Sequence, residues 1–167
     1  IGAGKSYGDI YLPSDTSRSK PIAIAMDSFK ETHQINFDNN SLTISSGYTF
    51  KEMNHYLKQE NYEFIVQPGI NDLTLGGAFA VNVHGKNCLS AGYMRDHVIE
   101  IQALNRNGKL ITVKKKRFNK YIYGLDLIIL SLKLRIEVNS GSSISITRQK
   151  FSNIDELIDL IFKNKSK

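Results

Sequence analysis

The stretch that most constrains this chain runs from Pro68 to His97 and sets small apolar residues between two glycine-rich turns. It reads PGINDLTLGGAFAVNVHGKNCLSAGYMRDH. Glycines carry no Cβ, so Gly76 and Gly77 leave their N–H groups open to a ligand and tolerate positive φ. If residues 74–81 form a short helix, these amides lie at its N-terminus, where an anion is favoured. A tight buried turn, in which the glycines only permit close packing, is the alternative.

A second glycine-rich segment stands at the start of the chain, where residues 2–9 read GAGKSYGD. Followed in order by the PG turn, TLGGAFAVNVHGKN and DHV, this segment resembles the PCMH-type FAD-binding domain of the vanillyl-alcohol-oxidase family of FAD-linked oxidoreductases. Within that family the pattern is most similar to the sugar oxidases, which include decaprenylphosphoryl-ribose oxidase and the aldonolactone oxidases. The HGKN tetrapeptide after GGA points to the former. The resemblance covers residues 1–138.

The resemblance implies that the chain binds FAD without a covalent bond. Some family members carry a histidine that bonds to the flavin where this chain has Lys5, so lysine implies that contacts alone hold the cofactor. The first loop would wrap the pyrophosphate, and the central stretch would support the diphosphate, the ribityl chain and the ring. The residues implied to bind FAD are Gly2, Ala3, Gly4, Lys5, Ser6, Tyr7, Gly8, Asp9, Pro68, Gly69, Thr74, Gly76, Gly77, Asn82, His84, Gly85, Asn87, Gly92 and Ile128.

The same resemblance makes His84 and Lys86 the candidate catalytic residues, on the substrate side of the flavin ring. Lys86 would bind a substrate oxygen or phosphate, and its charge would favour the anionic reduced flavin. The implied activity is FAD-dependent oxidation of a sugar alcohol or lactone, in which hydride passes from the carbon that bears the hydroxyl to flavin N5. From the residues alone, a solvated Lys86 and a hydrogen-bonded core His84 remain the alternatives.

The net charge of +6 comes from basic residues spread along the chain, with one cluster at Lys114-Lys115-Lys116-Arg117. The aromatic and basic strand pattern of an RNA-binding module does not accompany it, so we predict a solvated loop and no nucleic-acid partner. A lipid-linked, phosphorylated sugar substrate or an anionic membrane surface would also suit a basic patch. The resemblance to the sugar oxidases implies a small-molecule sugar or lipid-linked sugar as substrate. A partner reductase or another electron acceptor is left open, and the expected location is cytoplasmic, with peripheral membrane association as the alternative.

Two classes of site are not expected from the composition. The single cysteine, Cys88, excludes an internal disulfide and a cysteine-rich metal cluster. His84, Cys88 and His97 do not complete a metal-ligand set, so no metal is predicted. The sequence also contains no run of 18 apolar residues, the minimum for a transmembrane helix.

The hydrophobic pattern predicts an α+β fold, with a mixed or antiparallel sheet and short helices. We expect residues 1–138 to form the FAD-binding domain and residues 139–167 to begin a substrate domain. The expected elements are a buried strand at 22–26, a hairpin over 35–46, a helix over 50–59 capped by Thr49, a strand at 62–66, a hairpin of 98–105 with 110–113, and a half-buried strand at 130–138. A strand at 142–147 and a helix after a capping box from Ser152 to Asp155 follow.

One departure from the family keeps a second function open. The glycine-rich turn of the type GGLGLTGII is replaced by Tyr123-Gly124-Leu125-Asp126-Leu127-Ile128-Ile129, which puts the adenine and ribityl contacts of that turn in doubt. A non-catalytic remnant of an FAD domain, or a subunit that needs a partner chain, is therefore the alternative. An NADPH-dependent enzyme similar to UDP-N-acetylmuramate reductase is disfavoured by HGKN. Because Ile1 stands inside a motif, we expect that residues precede it.

Overall fold

The computed structural model describes residues 1–6, 8, 23–124, 126–141, 146 and 148–164. Their centre is a six-stranded sheet in which every pair of strands is antiparallel, so the α+β prediction is confirmed. The strands lie in the order β1-β2-β6-β4-β5, and β3 pairs with the far end of β6. Their bounds are β1 His33–Asn36, β2 Ser41–Ser45, β3 Tyr62–Phe64, β4 Val98–Asn105, β5 Leu110–Lys114 and β6 Leu127–Val138.

Five α-helices and a longer 3₁₀ segment are set around this sheet in the described part of the chain. The helices are α1 Phe50–Gln59, α2 Leu75–Ala80, α3 Cys88–Ala91, α4 Met94–His97 and α5 Ile154–Asn164, and the 3₁₀ segment is Lys115–Gly124. The predicted helix after Thr49 and both predicted hairpins are therefore present. The apolar faces of α1 and α2 share one buried core with the sheet.

The long strand β6 organises the sheet because it pairs with β2, β3 and β4. Its alternation holds from Leu132 to Ile136, which bury every second side chain. It breaks at Leu130, where the β4 register skips a residue and Ile129 is buried instead. Val138 is exposed, so the face predicted for 130–138 is wrong at both of its ends. A β-bulge turns side chains to the other face, and hydropathy alone does not mark it.

Helix α1 follows its sequence signals closely. Thr49 and Glu52 form a reciprocal capping box, and Phe50, Met53 and Leu57 are buried on one face. Desolvation by burial raises the pKa of the Glu52 carboxyl, but hydrogen bonds from Lys30 and Thr49 outweigh it and hold that pKa below its usual range.

Two predictions outside this frame are corrected. Residues 23–26 form no strand, and 23–25 are exposed. This segment runs beside Ile1, whose nitrogen donates to the Ile24 carbonyl at 2.6 Å and whose carbonyl accepts from Met26 N–H at 2.8 Å. The α5 cap lies one residue later than predicted, because Asn153 Oδ1 accepts from Glu156 N–H at 3.0 Å. Residue 22 and most of the predicted strand 142–147 lie outside the described residues.

Candidate functional site

The short helix α2 lines the candidate site. Thr74 caps it, with Oγ1 accepting from Gly77 N–H at 3.3 Å. Leu75, Ala78 and Phe79 are buried beneath it. A helix of six residues is marginal in isolation, so its position depends on this packing rather than on propensity.

Glycine is required at position 76 because the backbone there lies against Ser46, which follows β2. Its N–H donates to the Ser46 carbonyl at 2.9 Å. A Cβ at this position would lie 2.7 Å from Ser46 Cβ and 3.2 Å from Ser46 O. Real Cβ contacts do not approach 2.7 Å, so only glycine allows the helix to lie this close. Both explanations for the paired glycines therefore apply: Gly76 permits close packing, whereas Gly77 is exposed toward a cleft.

The N-terminal segment folds against this wall and brings the two glycine-rich motifs together. Gly2 faces Thr74 so closely that a Cβ on Gly2 would overlap Thr74 Oγ1. Between the segments lies a cleft of about 550 Å³. Its lining residues are Ile1, Gly2, Ala3, Gly4, Lys5, Ser6, Pro68, Gly69, Ile70, Leu73, Thr74, Gly77, Ala78, Val81, Val83 and His84. Of the predicted FAD ligands, these include Gly2 to Ser6, Pro68, Gly69, Thr74, Gly77 and His84.

A smaller cleft of about 150 Å³ adjoins the first through shared lining residues, namely Ile1, Gly2, Thr74 and Gly77. Its remaining walls are Ile24, Met26, Ser46, Gly76, Ala80, Leu127, Ile128 and Ile129. The predicted residue Ile128 therefore lies here together with Gly76. Apolar side chains dominate this cleft, and Ser46 and Thr74 supply its hydroxyls.

The candidate catalytic residues are placed differently from each other. His84 lies on the cleft and is exposed, with Nδ1 3.3 Å from the Gly85 carbonyl oxygen and its ring edge-on to Tyr93 at 5.7 Å. It is therefore not a core histidine. Lys86 is exposed, and it is absent from the described residues that line either cleft.

Four other predicted ligands support the loops behind the cleft. Asn82 Oδ1 accepts from Arg95 N–H at 3.0 Å, and Asn87 Nδ2 donates to the Ile65 carbonyl at 3.0 Å. Gly85 packs against the Gln67 carbonyl so tightly that a Cβ would overlap it, and Gly92 ends α3 with a φ of 72°. Gly8 is exposed, and the predicted ligands Tyr7 and Asp9 lie outside the described residues.

Sequence reasoning missed Arg95, which holds the C-terminal end of α2. Its side chain is almost buried, Nε donates to the Phe79 carbonyl at 3.0 Å, and Nη2 donates to the Ala80 carbonyl at 2.7 Å. The guanidinium carbon also lies 5.2 Å from the centre of the Phe79 ring. A cation suits the last carbonyls of a helix, which have no intrahelical donor. The only sequence signal was the presence of an arginine within the stretch from Pro68 to His97. The spacing of residues did not indicate that it would bind the Phe79 and Ala80 carbonyls.

Replacing Arg95 by methionine is expected to lower the free energy of unfolding by about 1.5–3 kcal/mol, because the apolar contact survives while two carbonyls lose a charged donor. Urea denaturation measures this change. Arg106→Met is the matched control: this arginine is mostly exposed and pairs with Asp126 at 2.5 Å, so its loss should cost about 1 kcal/mol or less. Equal effects of the two substitutions would contradict the capping role of Arg95.

Two further observations concern the described residues as a whole. Within those ranges, no helix is long and apolar enough to cross a membrane. In the same residues, no three histidine, cysteine, aspartate or glutamate side chains come together as a metal site would need.

The paired clefts fit a dinucleotide with a flat ring at each end. Gly2 and Gly77 have no side chain at the junction of the clefts, where a Cβ on either would press against Thr74 Oγ1. The N–H groups of Gly76 and Gly77 already donate inside the protein, to the Ser46 carbonyl and to Thr74 Oγ1, so these two glycines offer a diphosphate room rather than free amide donors. The apolar walls on either side are suited to aromatic rings.

Comparisons with known proteins agree with this geometry. The family described as FAD binding domain matches residues 1–114, more than half of the 167 residues. Decaprenylphosphoryl-beta-D-ribose oxidase of Mycolicibacterium smegmatis is 28% identical over 109 residues, which are 65% of this chain and 23% of that protein. D-lactate dehydrogenase of Archaeoglobus fulgidus is 29% identical over 83 residues, which are 50% of this chain and 19% of that protein.

A probable mitochondrial D-lactate dehydrogenase of Danio rerio is 31% identical over 104 residues, which are 61% of this chain and 20% of that protein. These matches span about a fifth of the length of each relative. The two glycine-rich motifs, the clefts between them and the family match lead to one conclusion. This chain belongs to the FAD-binding domain family of the FAD-linked oxidoreductases, and its cofactor is FAD.

Proposed function

We propose that this chain forms the cofactor-binding part of an oxidoreductase that oxidises a CH–OH group of a sugar alcohol or lactone. The observation that carries the proposal is the single cleft shared by residues 1–6 and by the stretch from Pro68 to His84. Bound FAD would supply the hydride acceptor for such an oxidation. The chain's own contribution is to bind and orient the cofactor and to present polar groups at the rim of the cleft.

His84 is the residue best placed for the substrate side. It is exposed on the cleft, and its backbone is bridged to Tyr93. An imidazole can accept the hydroxyl proton of an alcohol or donate a hydrogen bond to the product carbonyl. Lys86 lies two positions along in the same loop and is exposed. A substrate phosphate or sugar oxygen would recruit its ammonium to the rim.

The printed names of the relatives support a hydroxylated carbon as the reacting centre. One relative is named for a phosphoryl-linked ribose, and two are named for D-lactate. Ribose and lactate both present a carbon that bears a hydroxyl group. We favour the sugar over the hydroxy acid because of the HGKN motif. We also propose a partner reductase or another electron acceptor, and peripheral association with a membrane surface that the basic cluster at residues 114–117 would suit.

The competing proposal is an FAD-domain remnant or a subunit that needs a partner chain. The short turn around Asp126 supports it, since this turn replaces a longer glycine-rich one. Asp126 adopts a positive φ of 72° and pairs with Arg106 at the surface. Ile128 still lines the small cleft, however, so one wall of the site persists beyond the turn.

The visible absorption spectrum of the purified chain, with and without added FAD, tests the proposal. We expect a flavin spectrum and release of the colour into the supernatant on denaturation, since Lys5 offers no covalent link. Colour that stays with the pellet would contradict the Lys5 argument. A colourless protein that takes up no FAD would favour the remnant.

Anaerobic bleaching of the bound flavin by an aldonolactone or a pentose, compared with D-lactate, then separates the two substrate classes.

A further inference from the structure

Ser46 is held rigidly at the edge of the small cleft, while its hydroxyl group has no use in the fold. The residue is 2% exposed. Its N–H donates to the Leu130 carbonyl at 2.8 Å, and its carbonyl accepts from Gly76 N–H at 2.9 Å. Its Oγ is buried and has no hydrogen-bond partner among the described residues. A buried hydroxyl without a partner is rare in native proteins and is a reason to look for a missing one.

The preceding residue shows that the fold can satisfy a buried serine at this place. Ser45 is also 2% exposed. Its Oγ accepts from Glu31 N–H at 3.1 Å and from Thr32 N–H at 2.9 Å. Ser45 fastens the segment 31–32, whereas Ser46 lines the cleft.

The small cleft has the size and polarity of a ring site with one polar contact. It measures about 150 Å³ against about 550 Å³ for its neighbour, and its walls are mostly aliphatic. The junction of the two clefts is lined by Gly2 and Gly77, which leave room for the diphosphate. A dinucleotide that bridges this junction has one half in each cleft, and we assign its smaller half to the smaller cleft. In FAD that half is the adenosine, because the tricyclic flavin is the larger ring.

We propose that Ser46 Oγ forms a hydrogen bond with the adenosine half of bound FAD and is left without a partner when the cofactor is absent. This inference rests on the assignment of FAD to the paired clefts. The hydroxyl is already desolvated in the apo-protein, so its hydrogen bond to the cofactor forms without a further desolvation cost on the side of Ser46. Ser46 is thus a determinant of cofactor affinity that the glycine motifs do not reveal.

Ser46→Ala tests the proposal because it should leave the stability of the apo-protein unchanged or higher while it weakens the binding of FAD. The apo-protein should be as stable as the wild type or more stable, because alanine keeps the Cβ under Gly76 and removes the orphaned hydroxyl. The dissociation constant for FAD, followed by quenching of flavin fluorescence, should rise by about three- to tenfold, the range of one neutral hydrogen bond. The dissociation constant for ADP should rise by a similar factor, and that for FMN should not change.

Ser45→Ala is the matched control, one residue away and equally buried. It leaves two backbone N–H groups without their acceptor, so the apo-protein should lose stability while the affinity of the folded protein for FAD is unchanged. If wild-type protein binds neither FAD nor ADP, the assignment of the cofactor to these clefts fails. If wild-type protein binds FAD and Ser46→Ala binds it equally well, the role of Ser46 is refuted alone. An altered affinity for FMN with unaltered affinity for ADP would also refute it.

Discussion

Phe79→Ala is expected to lower the free energy of unfolding by about 3–5 kcal/mol, the range for truncation of a buried phenylalanine. The side chain is 1% exposed and projects from α2 into the core. Its ring meets Phe118 edge-on at a centroid distance of 4.9 Å, and Arg95 stacks above it. Three parts of the chain therefore lose packing at once. Denaturation with urea, followed by circular dichroism, measures the loss.

The same substitution should weaken FAD binding, because Phe79 anchors the helix that carries Gly76 and Gly77. Phe162→Ala is the control, since Phe162 is 65% exposed on α5 and its removal should change stability by about 0.5 kcal/mol or less. A loss for Phe79→Ala no larger than that of the control would show that α2 is held by something other than this contact.

Gly76→Ala should have the second largest effect, a loss of about 1–3 kcal/mol of stability, as for other insertions into a packed site. The new methyl group would lie 2.7 Å from Ser46 Cβ, and Ser46 is itself held by hydrogen bonds on both sides. Helix α2 must therefore shift away from Ser46 and displace Gly77, which lines the large cleft. We expect the affinity for FAD to fall by about tenfold, equivalent to about 1.4 kcal/mol.

Gly69→Ala is the matched control for this substitution. Gly69 lines the same large cleft, but a Cβ there would meet nothing within 4 Å, so stability should stay within about 0.5 kcal/mol of the wild type. A double variant that adds Ser46→Gly should recover part of the stability lost in Gly76→Ala, because it removes the nearest clashing atom. Additive effects in the double variant would contradict the contact between these two residues.

Local sequence signals predicted those parts of the fold that are decided locally. The capping box of Thr49 and Glu52 and the hairpin of residues 98–105 with 110–113 each depend on residues only a few positions apart. The donors and acceptors of their hydrogen bonds lie close together in the sequence, so residue spacing is sufficient to recognise them. The pairing of the first and second glycine-rich motifs was predicted only through the resemblance to a family.

The errors share one physical origin, which is competition for burial between distant segments. The apolar run at 22–26 was predicted as a buried strand, yet residues 23–25 are exposed beside Ile1. Five apolar residues mark a segment that can be buried, but they do not determine whether the sheet has an edge free to receive it. The bulge at Leu130 is decided in the same way, by how β6 aligns with β4.

Sequence patterns alone predicted most of the helices and strands, the α+β class and the glycine-rich motifs that characterise an FAD domain. The packing of distant segments determines which motif residues border the clefts and which support the neighbouring loops. It turned His84 toward the cleft while Asn82 and Asn87 hold loops behind it. It also selected Arg95 as the cap of α2 and left the Ser46 hydroxyl without a partner. These roles depend on distances between residues far apart in the chain, which spacing along one sequence does not contain.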